Sequence, residues 1–438
     1  MNNVLFVLII FSSLVSCINA SKQSNRRLKQ HSFHRSHKSI NKTKQDTPTK
    51  ITAKRGKMSN LKEWKELLNK GSEIRIHLAL NINTPKEILK ELADCKEDFQ
   101  NQDYECLDIK RSISLNPKIP YETIKKLLNH TDDSIRHNLA LNLQTDSESL
   151  KILSNDKDYW IRSAVAENKN TPEEILKKLS NDEDYRVRVN LAQNLHTSVE
   201  LLRKLSKDKK FTVIKYIARN PNTPKEILKE FYECKNFEDY QCQDIKTDIA
   251  LNPQIPKDIF IKLAECDFGE YPCQKIKVNL SSNPSASAED LKKFLKESRG
   301  TLSEKDIKRS ISLNPELPHN LAEELLKNKD HEFVSNLAGN TNLSQELFEK
   351  LSKTNDFLTL MKLCSNRKIG GNILLEIYER NQKSPAFNFL VNAFISNPDT
   401  PDSIMEKIIQ NYGKDKKIKE KLLQRNNLSL HLLNIMAK

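Results

Sequence analysis

Six of the eight cysteines fall into three pairs at regular spacing, and thiols so placed either oxidise to disulfides or hold a metal. Cys95, Cys234 and Cys266 each follow an asparagine (Asn81, Asn220, Asn252) by 14 residues, and Cys106, Cys242 and Cys273 each precede the next one (Asn116, Asn252, Asn283) by 10. Where the chain carries no insertion these two positions hold aspartates two residues apart, as in Asp156 and Asp158. The ends of each inserted loop must therefore lie close together. That predicts three local disulfides, Cys95–Cys106, Cys234–Cys242 and Cys266–Cys273, each contributing about 2–3 kcal/mol if unstrained. The alternative is a metal shared by Cys234, Cys242, Cys266 and Cys273. Their spacing is not the C-x₂-C of zinc sites, and Cys95/Cys106 has no adjacent pair, so the disulfides are the better reading. Cys364 falls where other units carry alanine and reads as a buried, inert thiol.

A second row of chemistry is cationic. Six residues before successive asparagines stand Arg75, Lys110, Arg136, Arg162 and Arg188, then Ile214, then Lys246, Lys277 and Lys308. One cation per unit, at about 8–10 Å per step, would follow an acidic protein face or an extended anionic polymer. Alternatively, each cation pairs with acids in its own turn, such as Asp156/Asp158 or Asp182/Asp184. Catalytic templates are absent: there is no H-E-x-x-H, no G-x-S-x-G and no glycine-rich phosphate loop. The reading is non-catalytic, with no cofactor and no metal.

Charge is concentrated at one end. The chain of 438 residues has a net charge of +14, but residues 21–57 hold twelve Lys/Arg against a single acid, Asp46. The remainder is nearly neutral, so a high isoelectric point does not argue that it binds nucleic acid. Residues 1–20 carry the apolar run Val4 to Phe11 and a polar, small-residue exit, as a secretory signal does, although no Lys or Arg precedes the run. Leu14-Val15-Ser16-Cys17 is similar to a bacterial lipobox, which would lipidate Cys17; cleavage after Ala20 is the competing outcome. Residues 21–58 hold too few apolar side chains to fold alone and read as a disordered basic tether. The tether would suit an anionic polymer or a membrane surface; without interleaved aromatics it does not suit nucleic acid.

What must position these groups is a repeat. Asn81, Asn116, Asn142, Asn168, Asn194, Asn220, Asn252, Asn283, Asn314, Asn340, Asn366 and Asn397 index units of 26 residues or more, and a degenerate last unit is centred on Asn426. After the asparagine comes a helix start, often Thr-Pro (Thr84, Thr171, Thr223, Thr400), read as a threonine cap; Glu87, Glu174 and Glu226 complete a capping box. An acidic turn follows, then a second, shorter helix with an i, i+4 stripe such as Ile161/Val165 and a small residue beside it, such as Ala166. Residues 59–70 read as a capping helix and 71–438 as the array, degenerate after about 340. The fold class is all-α, an α-solenoid of about twelve to thirteen two-helix units, expected as a curved rod on the order of 100 Å long.

Val187-Arg188 to Ala192, with Ile217-Ala218-Arg219-Asn220-Pro221-Asn222-Thr223-Pro224-Lys225-Glu226, resembles the leucine-rich repeat variant family over roughly residues 71–400. The resemblance implies a right-handed helical solenoid alternating an α-helix with a 3₁₀-like one. The longer units here leave open whether the second element is 3₁₀ or α. It implies a fold and no reaction. Function is therefore expected to be that of an exported scaffold for protein–protein interaction, secreted or held at the cell envelope, in the periplasm or on the outer surface. The alternative is an envelope-polymer or membrane-surface binder acting through residues 21–57, with the solenoid as spacer.

Overall fold

Each period alternates two short amphipathic runs, and a run of seven to eleven residues is too short to be stable alone in water. Both must therefore bury their stripes against neighbours. The computed structural model describes residues 61–97, 104–235, 238–267, 272–327, 331–384 and 387–437. The expectations for residues 1–20 and 21–58, including Cys17, lie outside these. The described residues belong to a unit running from Met58 to Lys438. They contain 27 helices and no strand, an all-α solenoid. A first helix, α1 (61–68), buries Trp64 and Leu67.

From there two layers alternate. The inner layer begins with α2 (Ser72–Leu80), α4 (Glu105–Leu115), α6 (Asp133–Leu141), α8 (Tyr159–Glu167), α10 (Tyr185–Gln193), α12 (Phe211–Arg219) and α14 (Asp239–Ile249), and ends with α26 (Lys416–Gln424). The outer layer includes α3 (Lys86–Ala93), α7 (Ser147–Leu153), α9 (Glu173–Leu179) and α27 (Leu430–Met436). Between the layers lies a continuous core: Ile161 and Val165 from α8 meet Ile175, Leu176 and Leu179 from α9, all at 3% exposure or less. Each such side chain contributes about 1.5–3 kcal/mol. The inner elements are α-helices and not 3₁₀; the second helix of the unit is the longer one in the early units, nine residues in α8 against seven in α7, but not in the later ones, where Glu304–Ser312 (nine) follows Ala288–Glu297 (ten).

Successive inner helices pack directly on one another, whereas most outer helices do so only weakly. Ala140, Ala166, Ala192, Ala218 and Ala250 are fully buried, and their small side chains allow the close approach. The more tightly spaced layer is the concave one.

Between units runs a ladder of asparagines at or just beyond the C-termini of the inner helices. Asn168 Nδ2 donates to the carbonyls of Ala140 (2.7 Å) and Asn142 (3.1 Å) of the preceding unit, while its Oδ1 accepts from the N–H of Asn170 (2.9 Å). The same pattern recurs from Asn116 to Asn397, through the stretch whose sequence is degenerate. In the last unit the position belongs to Arg425, not to Asn426. Arg425 caps α26 and its Nη1 donates to Ile395 O (2.9 Å) and to Asn397 O, the two acceptors that an asparagine would take.

The threonines also differ from expectation. Pro85 and Pro172 are the N-caps, and neither helix has a side-chain cap. The hydroxyls point backwards instead: Thr84 donates to Leu78 O (2.7 Å) and Thr171 to Val165 O (2.6 Å), satisfying carbonyls at the end of the inner helix. The Thr–Glu capping boxes are therefore not formed.

The largest departure is from the open rod. The described residues of this unit close on themselves: α26 packs against α2 and completes a circuit of thirteen inner helices. Across this joint Ile82 N donates to Asn426 O (2.7 Å), Asn81 Nδ2 to Leu428 O (2.9 Å) and Asn83 Nδ2 to Asn427 O (3.2 Å). Lys419 pairs with Glu73 at 3.0 Å. Thirteen helices about 8–10 Å apart place their axes on a circle about 35–40 Å across, with an opening of about 25 Å inside helices about 10–12 Å thick.

Candidate functional site

The cysteines sit where the loop ends converge. Cys95 and Cys106 have Cα atoms 5.7 Å apart, Cys234 and Cys242 5.3 Å, and Cys266 and Cys273 5.9 Å, each pair with its sulfur atoms at bonding distance within its own unit. Each thiol thus faces its own loop partner, and the four of the two later pairs do not form a shared cluster. Cys364 is fully buried and free, and burial pushes its thiol far above the usual range, which keeps it protonated and unreactive.

The cationic row is largely paired within the array. Arg162 is a typical member: its Nη1 donates to Asp156 O (2.8 Å) in the turn before its helix, and its Nε donates to Asp182 Oδ2 (2.7 Å) in the turn after its unit. Arg136 does the same with His130 O and Asp156, and Arg188 with Asp182 O and Asp208. One planar guanidinium thereby clamps two stacked turns. The aspartate bonds raise the basicity of all three arginines against the cost of burial.

Where a cystine replaces that aspartate, the cation changes partner. Arg75 takes Glu105, Lys246 lies over the Tyr232 ring (5.0 Å), and Ile214 replaces the cation altogether in the unit before that of Cys234. Lys110 pairs with Glu97 (2.7 Å), Lys277 with Glu297 (2.6 Å) and Lys308 with Glu304 (3.0 Å). Arg136, Arg162 and Arg188 thus tie neighbouring units together, while Lys308 pairs within its own helix.

The concave face is formed by the positions of the inner helices that point away from the core. Its most developed part spans α6 to α12. His137 stacks on Trp160, ring centroids 4.2 Å apart and planes at 27°. The Arg186 guanidinium lies 3.5 Å over the Tyr159 ring and is held by Asp184 (2.7 Å). Arg219 lies 5.3 Å from the centre of the Tyr216 ring and donates from Nε to Asp248 Oδ1 (2.8 Å). Glu167, Asn190 and Gln193 complete a shallow cleft with these rings.

Burial sets the electrostatics of this cleft. It pushes the His137 imidazole below its usual range, against weaker opposing influences from the Trp160 backbone and from Glu167 and Asp133. It raises the Asp248 carboxyl despite Arg219 and Lys215. At the floor of the cleft, Ser163 Oγ and His137 Nδ1 are buried and have no hydrogen-bond partner. The two are therefore not joined as a nucleophile and its base. What the cleft presents is stacking planes and cations held over rings. The concave face continues with exposed apolar side chains, Leu115 and Leu313 among them.

Reading the sequence for titratable rows did not find this cleft. The signal was present: Tyr159, Trp160, Tyr185 and Tyr216 lie on the non-core side of the inner helices in three consecutive units. Placing each residue on a helical wheel within the repeat register exposes them.

Among the described residues no helix is long and apolar enough to cross a membrane. Fold and face together define an all-helical repeat protein whose units close into a circuit around a concave face. No family model matches the chain, and no curated protein matches it.

Proposed function

We propose that this protein is an exported, non-catalytic scaffold that takes a protein partner on its concave face at the cleft between α6 and α12. The observation that carries this reading is the run of fixed aromatic rings on the concave face, Trp160 stacked on His137 and Tyr159 held under the Arg186 guanidinium. Rigid aromatic rings beside an arginine are the usual composition of a binding hot spot. Three cysteine pairs at disulfide distance support an oxidising, extracytoplasmic compartment, with Cys17 lipidated or the chain cut after Ala20. The leucine-rich repeat variant family remains the proposed origin of the repeat.

The test is capture from the exported compartment with the full chain, with Trp160→Ala and Arg186→Ala, and with residues 21–57 deleted. Loss of the captured protein on either substitution, with retention after the deletion, supports the concave cleft. Capture that survives both substitutions but vanishes with residues 21–57 overturns it in favour of a tail that binds an anionic polymer or membrane surface.

A further inference from the structure

The joint between α2 and α26 is built differently from the other contacts in the circuit. Elsewhere a ladder side chain spans the gap by itself, and the regular acceptor for Asn81 would be Leu423 O, two residues before Arg425. Here His77 takes that acceptor: its Nδ1 donates to Leu423 O. Asn81 is displaced onward to Leu428 O and is fixed in orientation by its two other bonds, Nδ2 donating to Leu428 O (2.9 Å) and Oδ1 accepting from Asn83 N (2.8 Å). The Asn81 amide hydrogens therefore face His77 Nε2 at 3.5 Å. With Nδ1 committed as a donor, Nε2 must be the bare acceptor of a neutral imidazole. A second proton on Nε2 would set N–H against N–H inside a joint where His77 is 1% exposed.

We infer that His77 is a latch that closes the circuit while neutral and releases α2 from α26 when it is protonated.

The charged groups around it do not offset that proton. Glu73, one turn away on α2, is committed to Lys419 on α26 at the exposed rim. Arg425 points its guanidinium at the carbonyls of Phe394, Ile395, Asn397 and Pro398 in the preceding unit. On α27, His431 faces Glu406 (3.6 Å). Burial, the dominant influence, lowers the His77 pKa, and the bond to Leu423 O opposes it. A histidine whose folded-state pKa is depressed contributes stability above its unfolded value, about 6.5, and that contribution is lost as pH falls towards the folded value. Release opens the joint and leaves the interior units intact, because each rests only on its neighbours.

Amide hydrogen exchange on the full chain tests this, read at Ile82, whose N–H crosses the joint to Asn426 O, with the interior Thr171 amide as reference. Between about pH 7.5 and pH 5, after correction for intrinsic rates, Ile82 should accelerate at least about tenfold relative to Thr171. His77→Gln keeps a donor for Leu423 O and an acceptor for Asn81 without a titrating ring, and should remove the acceleration. Glu73→Gln should leave it in place. Equal acceleration at both amides, persistence in His77→Gln, or loss in Glu73→Gln would each overturn the latch.

Discussion

Arg188 and Asp208 stand 20 residues apart in the chain and 2.6 Å apart in space, and the contact joins inner helix α10 to the turn before the next inner helix, α12. Asp208 Oδ1 meanwhile accepts from Lys210 N (2.8 Å), so one carboxylate both shapes its turn and anchors the clamp. Burial raises the Asp208 pKa, but the Arg188 bond and the Lys210 N–H more than offset this and the net shift is downward. A carboxyl depressed in the folded state contributes stability above its unfolded pKa, about 3.9, and loses it as pH falls through the folded value. Asp208→Asn should therefore cost about 1–3 kcal/mol at neutral pH in urea unfolding and flatten the acid limb of stability below about pH 4.

The asparagine ladder should be costly to break at single positions. Asn168→Leu removes the donor to Ala140 O and Asn142 O and the acceptor for Asn170 N within a buried turn. A loss of about 2–4 kcal/mol is expected, with faster exchange confined to the units on either side. A substitution that leaves stability unchanged would show that water replaces the side chain.

Threonine and glutamate in the same turn should behave differently. Thr171→Val deletes the bond to Val165 O and should cost about 1 kcal/mol. Glu174→Ala should cost less than about 0.5 kcal/mol, because it completes no cap on α9. Thermal unfolding of the two variants side by side reads the difference.

Peptide mapping without reductant should link Cys95 to Cys106, Cys234 to Cys242 and Cys266 to Cys273. Cys364 should be alkylated only after unfolding, since burial both hides it and raises its pKa. Reduction should loosen the three loops and leave helix content by circular dichroism nearly unchanged. Links between units would refute the local pairing.

Much of this architecture was legible because local signals repeat. The stripe Ile161/Val165, the small residue Ala166 and the capping Asn168 recur at fixed offsets, and together they define a helix, its buried face and its end. The Cys pairs were legible for the same reason, through the aspartates they replace. The clamp was ambiguous because a sequence shows Arg162 and Asp182 at fixed offsets without showing which turns stack. Thr171 was misread because a hydroxyl between two helices can serve either end, and Pro172 already supplies the start. Arg425 was hidden because it reproduces the geometry of asparagine with a different residue type. The closure was invisible for a further reason: it is a sum of small rotations over thirteen contacts, and no residue encodes it alone.

A stack of repeats with free ends can be lengthened or shortened by whole units, its terminal faces being all that must stay soluble. A circuit joined from Ile82 to Asn426 has no such freedom. Gaining or losing 26 residues would shift every angle or part the joint, so the size of this molecule is counted in whole units and fixed at one number. Evolution can still vary it by lengthening loops, and the inserts closed by Cys95–Cys106, Cys234–Cys242 and Cys266–Cys273 are such additions: they enlarge a unit without adding a step to the circle.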